Sequence, residues 1–346
     1  MITQILPAPP SDEARVEEIL VVTTRTPLPG PPFFSGQRGD GPSYARFDVS
    51  VPQDREIGQI AWRGKGAPDP GRQFLTVGHQ KLDTQAAFDR ALRKRLAALS
   101  PQNREVVLFV HGFNTNFPEA LYRMAQIQAD FETPGQQVLF SWASGATAGS
   151  YLYDRDSNLI ARNALEDTLR RLDRISNGRV TLIGFSMGGF LAVETLRQIG
   201  LSRDPGLLRR LEGVVLISPD IDVKLFRANA EDIKPFPQPL IVLASRHDRA
   251  LGLSALVTGQ PDRLGSRENL QGLEDLGVTL IDVAAFNSEA VSSHTVGLTS
   301  PSLIRILRSA RGIEAATRPR VDGRPHQKSI QLNIDEIQSR IRNFGR

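Results

Sequence analysis

The chain has 346 residues, enough for one large domain or two modest ones, and its 40% hydrophobic, 23% charged and 6% aromatic residues are a soluble globular composition. It has no cysteine, which excludes a disulfide framework, a thiolate metal site and a Cys nucleophile, and no apolar run reaches the ~18–20 residues of a membrane-spanning helix. The net charge of +4 is uneven, with a surplus of +6 from Ile304 onward and −2 before it, so the basic character belongs to the tail and no nucleic-acid-binding body is expected.

The first ten residues carry no basic start and no long apolar stretch, so no signal peptide is expected. Residues 1–16 are expected to be flexible. The expected compartment is the cytoplasm, or the periplasm or exterior if a leader has been trimmed. Residues 19–24 read as a strand and residues 25–42 as a Pro/Gly-rich loop holding Phe33 and Phe34. Short alternating segments at 44–51 and 57–62 suggest antiparallel strands at one sheet edge. Phe88, Leu92, Leu96 and Leu99 then form a helical stripe over 86–99.

From Glu105 onward, strands alternate with helices. Continuous apolar strands are predicted at 106–110, 137–142, 180–185, 214–217, 240–244 and 278–283. Helices are predicted at 118–131, 158–175, 187–199 and 302–309. Apolar strands alternating with helices imply a mostly parallel central sheet covered on both faces. No internal repeat is present. The expected organisation is a single α/β domain over 17–312, followed by a basic linker and an amphipathic helix within 313–346. Between the strands ending at 217 and starting at 240 there is room for one helix and a Pro-rich loop, so no large lid domain is expected.

The strongest chemical signal is Gly184-Phe185-Ser186-Met187-Gly188-Gly189, between a predicted strand and a predicted helix. That is the context of a nucleophile elbow. The sharp turn strains Ser186, leaves room only for small residues at Gly184 and Gly188, and lifts the hydroxyl to a helix N-terminus that favours negative charge. His111-Gly112-Phe113-Asn114 ends the strand 106–110. In such sheets this loop supplies one backbone N–H of an oxyanion hole, here near Phe113, and the residue after the nucleophile, Met187, supplies the other. His111 reads as a strand-end residue that shapes the loop, and Gly112 lets the backbone turn.

Of the five histidines, His294 follows the last predicted strand and precedes a helix, where the base of a Ser-acid-His order belongs. His326 lies in the polar tail. Asp248, after the strand 240–244, is preferred as the acid. Asp220 and Asp222, one strand earlier, are its competitors, and helix capping or loop bonding is the alternative role for both.

These residues carry a resemblance. Thr23-Thr24-Arg25, the Phe-rich loop with Gly39-Asp40, His111-Gly112-Phe113-Asn114 and Ser141-Trp142 come first. Tyr153-Asp154-Arg155, Ser186-Met187-Gly188, Pro219-Asp220-Ile221-Asp222 and Asp248-Arg249-Ala250-Leu251 follow. Over roughly residues 18–310 the chain resembles the bacterial esterase/lipase-like α/β-hydrolase family long catalogued as a domain of unknown function. The resemblance implies an α/β-hydrolase fold with Ser186, Asp248 and His294 as the triad. Members usually carry His before the nucleophile, where this chain has Phe185. Some relatives are exported lipoproteins, but this chain lacks the Cys and the signal they need.

The expected function is hydrolysis of small carboxylic esters of short to medium acyl chain through an acyl-enzyme. The same triad would serve an amidase or thioesterase, and a non-catalytic interaction module of this fold is the rival from another class. No metal or organic cofactor is expected, since neither a Walker loop nor a dinucleotide fingerprint occurs. In the tail, Ile330, Ile334, Ile337, Ile341 and Phe344 form one apolar stripe after Ser329, spaced for a helix. Its expected partner is the protein's own body or a second subunit in a homodimer.

Overall fold

The computed structural model describes residues 5, 8–62, 67–245, 248, 251, 263–266, 273, 275–309 and 330–332. The chain divides into two compact units, Met1–Val180 and Thr181–Arg346.

In the first unit the strands are β1 (Ala14–Pro27), β2 (Phe34–Pro52), β3 (Leu75–Leu82), β4 (Val106–Val110) and β5 (Gln136–Ser141), in the order β4-β5-β1-β2-β3. β4, β5 and β1 run parallel, and β2 and β3 add antiparallel at the edge. Every residue of β4 is buried, as is Ile19–Val22 at the centre of β1. Such runs form where a strand is covered on both faces, and each large side chain removed from water contributes about 1.5–3 kcal/mol.

Three expectations are corrected here. β1 begins at Ala14, so residues 14–16, expected to be flexible, belong to a strand. The loop expected over 25–42 is mostly a hairpin. Pairing of Arg25 with Arg38 and of Pro27 with Phe34 confines the turn to residues 28–33, closed by Leu28 N–H donating to Phe33 O at 2.8 Å. The second edge strand is β3, not residues 57–62. There Gly58 adopts φ 84, and its N–H leaves the ladder to donate to Asp130 Oδ2 at 2.7 Å.

Three helices complete this unit. α1 (Gln85–Ala98) is capped by Thr84, whose side chain accepts from Ala87 N–H, and it buries Phe88, Leu92 and Leu96. α2 (Phe117–Phe131) opens on a capping box in which Asn116 and Glu119 each accept the other's backbone N–H. α3 (Tyr151–Ser176) starts seven residues before the predicted 158, because after Tyr151 its next buried residues, Asp154, Ser157 and Asn158, are polar. An apolar stripe cannot report a polar buried face.

The second unit holds β6 (Val180–Phe185), β7 (Gly213–Ile217), β8 (Leu240–Ala244), β9 (Val278–Asp282) and β10 (Ile330–Leu332), adjacent in that order. All four neighbouring pairs are parallel. α4 (Met187–Leu201) connects toward β7, with a short α5 (Leu207–Arg210) before that strand, and α6 (Val223–Asp232) connects β7 to β8. α6 is the one helix between β7 and β8, and no lid domain is inserted there. Helix Pro301–Ser309 follows β9. Parallel strands alternating with helices make this an α/β architecture with a mostly parallel sheet.

β10 corrects the reading of the tail. Ile330–Leu332 pairs parallel with β9 as a strand, whereas the stripe places Ile330 in a helix. Residues 313–329 and 333–346, which carry the rest of that reading, lie outside the described residues.

Candidate active site

The turn from β6 into α4 places Ser186 at φ 53 and ψ −121, a backbone conformation that costs a non-glycine residue of order 1–3 kcal/mol. The surroundings hold it there. Ser186 N–H donates to Ile217 O at 2.9 Å on the neighbouring strand, and Ser186 O accepts from Gly189 N–H at 2.9 Å and Asp220 N–H at 3.1 Å. A Cβ on Gly184 would come within 2.8 Å of Gly189 Cα and 2.9 Å of Gly188 O, so a side chain at 184 would pry the turn open. Ser186 stands at the N-cap position of α4, but its hydroxyl makes no capping bond. Met187 is the first residue of α4, where backbone N–H groups face out of the helix end.

His294 and Asp248 meet at 2.7 Å, Nδ1 to Oδ2. The Asp248 side chain is fully buried, and that of His294 is half-buried. The other carboxylate oxygen, Oδ1, accepts from Leu251 N–H at 3.2 Å, which fixes the carboxyl plane. A carboxylate is an acceptor only, so Nδ1 carries the proton in this pair and the Nε2 of a neutral imidazole is left as an acceptor. The Phe185 ring packs on the His294 ring with centroids 4.9 Å apart. The residue beside the serine therefore fixes the imidazole's position.

The competing carboxylates are engaged elsewhere. Asp222 caps α6, accepting from Leu225 N–H at 2.9 Å. Asp220 is buried and pairs with Arg263 at 3.5 Å. Asp248 thus meets His294 while both competitors hold other partners.

The loop after β4 belongs to the first unit. His111 is buried, stacked on Trp142 with centroids 4.9 Å apart. Its Nδ1 donates to Gly112 O at 2.9 Å, and its Nε2 accepts from Arg25 Nη2 at 3.3 Å. Burial, and then the Arg25 charge, push the His111 pKa down to about 3, so the ring is neutral. The ring bonds to the loop backbone at Gly112 and stacks on Trp142. Asn114, at φ 53, donates its N–H to Asp154 Oδ2 at 3.3 Å, and Phe113 packs edge-on against Tyr151. Among the described residues, no three His, Asp or Glu side chains cluster as metal ligands would.

The family described as alpha/beta hydrolase of unknown function (DUF900) matches residues 84–311, about two thirds of the chain. The chain belongs to this α/β-hydrolase family. No curated protein matches the sequence. Among solved structures it is similar to a thermostable esterase from Pseudomonas putida ECU1011, at 15% identity over 86% of this chain and 82% of that chain, with a TM-score of 0.38. It is also similar to Aspergillus fumigatus lipase B, at 15% identity over 76% and 67% with a TM-score of 0.39. An esterase from Pyrobaculum calidifontis shows 13% identity over 86% and 85%, with a TM-score of 0.35. At these values the structural likenesses carry no argument about activity.

This α/β hydrolase also uses residues that sequence reasoning passed over. Arg25 is fully buried in the first unit, donating from Nε to Ser141 Oγ at 2.8 Å and from Nη2 to Thr115 O at 2.7 Å. Burial lowers its pKa to about 10, and the Asp154 charge opposes the shift. Asp154 in turn accepts from Ser144 Oγ at 2.6 Å and Gly145 N–H at 2.7 Å. Both residues lie in motifs that carry the resemblance, but nothing in sequence marks an Arg or Asp as buried. Gly189 was legible in principle from the doubled glycine: a Cβ there would meet Pro219 Cβ at 3.0 Å.

Proposed function

We propose that this α/β hydrolase is a serine carboxylester hydrolase with Ser186 as nucleophile, His294 as general base and Asp248 as the acid that orients it. The observation that supports this best is the 2.7 Å contact of Asp248 with His294 Nδ1, beside the strained turn that carries Ser186. With the proton held on Nδ1, Nε2 takes the proton of Ser186 Oγ as that oxygen attacks the ester carbonyl. The developing oxyanion is stabilised by a backbone N–H donor assigned from the nucleophile motif to Met187, the first residue of α4. His294 returns its proton to the departing alcohol, leaving an acyl group on Ser186. Water, deprotonated by the same imidazole, then releases the acid and restores the serine.

Esters are preferred to amides as the substrate class because an alkoxide is the easier leaving group, and acyl chains of short to medium length are the proposed range. The test pairs labelling by a fluorophosphonate with turnover of p-nitrophenyl esters of increasing chain length. Covalent labelling lost in Ser186→Ala, with turnover highest on short to medium chains, is the expected result. A folded protein that is neither labelled nor active would instead support a non-catalytic role for the fold.

A further inference from the structure

Resting on the serine-hydrolase reading, we propose that residues 263–266 are a clip that sets the nucleophile and the acid in register, with Gly265 and Arg263 as positioning residues. The loop after β7 and the loop after β8 approach the chemistry from different strands. β7 and β8 pair as far as Ile217 with Leu243, and Ser218 N–H donates to Leu243 O at 2.9 Å, but beyond that point the two loops leave the ladder. The segment 263–266 bonds to both.

The path runs through the backbone. Asp220 N–H donates to Ser186 O at 3.1 Å, tying the β7 loop to the nucleophile turn. Gly265 N–H donates to Pro219 O at 3.1 Å, and Leu264 N–H to Ile221 O at 2.9 Å, which ties the clip to that same loop. On its other side Gly265 O accepts from Ser245 N–H at 2.9 Å, and Ser245 O accepts from Asp248 N–H at 3.0 Å. The chain of contacts ends at Asp248 Oδ2 on His294. Backbone bonds of ordinary length therefore connect the carbonyl of Ser186 to the peptide of Asp248.

Two side-chain facts lock the clip in place. A Cβ on Gly265 would stand 2.5 Å from Ser218 C and 2.7 Å from both Pro219 N and Leu251 Cδ1, so only glycine lets the segment lie this close to the β7 loop. Leu251 is the residue whose N–H holds Asp248 Oδ1, so a displaced Leu251 would also disturb the acid. Arg263 supplies the second lock. Its guanidinium lies 3.5 Å from Asp220 Oδ1, with both groups buried. The pair holds the carboxylate of Asp220, one of the two competitors for the imidazole, on the clip.

The test measures kcat and KM on p-nitrophenyl esters, the pH profile of kcat/KM and the rate of fluorophosphonate labelling, for wild type, Gly265→Ala, Arg263→Met and Arg263→Lys. A displacement on the scale of 1 Å costs about 10²-fold, so Gly265→Ala should lower kcat by about that factor while KM stays within about twofold. Its labelling rate should fall in parallel, and the acid limb of the pH profile, which reports the histidine, should shift. Arg263→Met should lower kcat about tenfold, with Arg263→Lys recovering most of it. If Gly265→Ala does not fold, the Arg263 pair decides. Wild-type kcat, labelling and pH profile in the folded variants would overturn the clip and leave the serine reading intact. A wild type that neither turns over nor is labelled would overturn the serine reading and the clip with it.

Discussion

Asp220, Asp222 and Asp248 stand on two adjacent loops, and their partners separate them: an arginine, a helix N-terminus and a histidine. Loss of the carboxylate should then have distinct consequences. Asp248→Asn should lower turnover by about 10⁴-fold, because an amide no longer fixes the His294 tautomer. Asp222→Ala should retain turnover and lose about 1 kcal/mol of stability with its cap, as read by urea unfolding. The opposite pattern would move the acid to the β7 loop. His111 gives a pH prediction in the first unit. Its folded pKa of about 3 lies below the ordinary 6.5, so between those values the unfolded chain binds the extra proton. Stability from this residue is complete above about pH 6.5 and is lost as pH falls toward 3, at up to about 1.4 kcal/mol per unit. Unfolding free energies at pH 7 and pH 5 should differ by about 2 kcal/mol more in wild type than in His111→Asn. Equal pH dependence in the two proteins would remove the buried neutral ring from the account.

At the scale of elements, what could be read in the sequence follows from what burial does to composition. Val106–Val110 and Leu240–Ala244 are covered on both faces, so they are apolar throughout and legible. Segments 19–24 and 44–51 were legible within β1 and β2, but the outer half of that hairpin, with Arg38 exposed, and β3, with Gln80 and Lys81 exposed, left no apolar pattern to read. The first turns of α3 were missed for the converse reason, a buried face that after Tyr151 is made of Asp154, Ser157 and Asn158. The candidate triad was legible because loop order along a parallel sheet constrains it, while the Arg25 and Arg263 anchors were not, since charged side chains in sequence read as surface. β10 gives the prediction for this scale. Truncation after Ile313 removes the strand paired with β9 and bares that strand's hydrogen-bonding edge. Bared edges recruit other chains, so the truncated protein should melt lower and associate in light scattering, with fluorophosphonate labelling kept. Unchanged melting and mass would mean that β10 contributes nothing to the sheet.

For the whole molecule, the mostly parallel sheet and the family match define an α/β hydrolase, and the connection from β7 to β8 adds only α6 to that frame. Without a lid domain at that connection, activity should rise smoothly with dissolved ester and show no jump at an oil–water interface. A sharp interfacial rise would contradict this. Among the described residues no helix is long and apolar enough to cross a membrane, and the excess positive charge sits beyond Ile304, outside the strands and turns that carry Ser186, Asp248 and His294. The strained turn, the Asp248–His294 contact and the clip all lie in the second unit, so one covalent measurement addresses them together. That measurement is the site and stoichiometry of fluorophosphonate labelling by mass spectrometry, in wild type, Ser186→Ala and Asp248→Asn. The account predicts one adduct per chain on Ser186, none in Ser186→Ala and slow labelling in Asp248→Asn. An adduct on another serine, or a folded wild type that takes none, would contradict it.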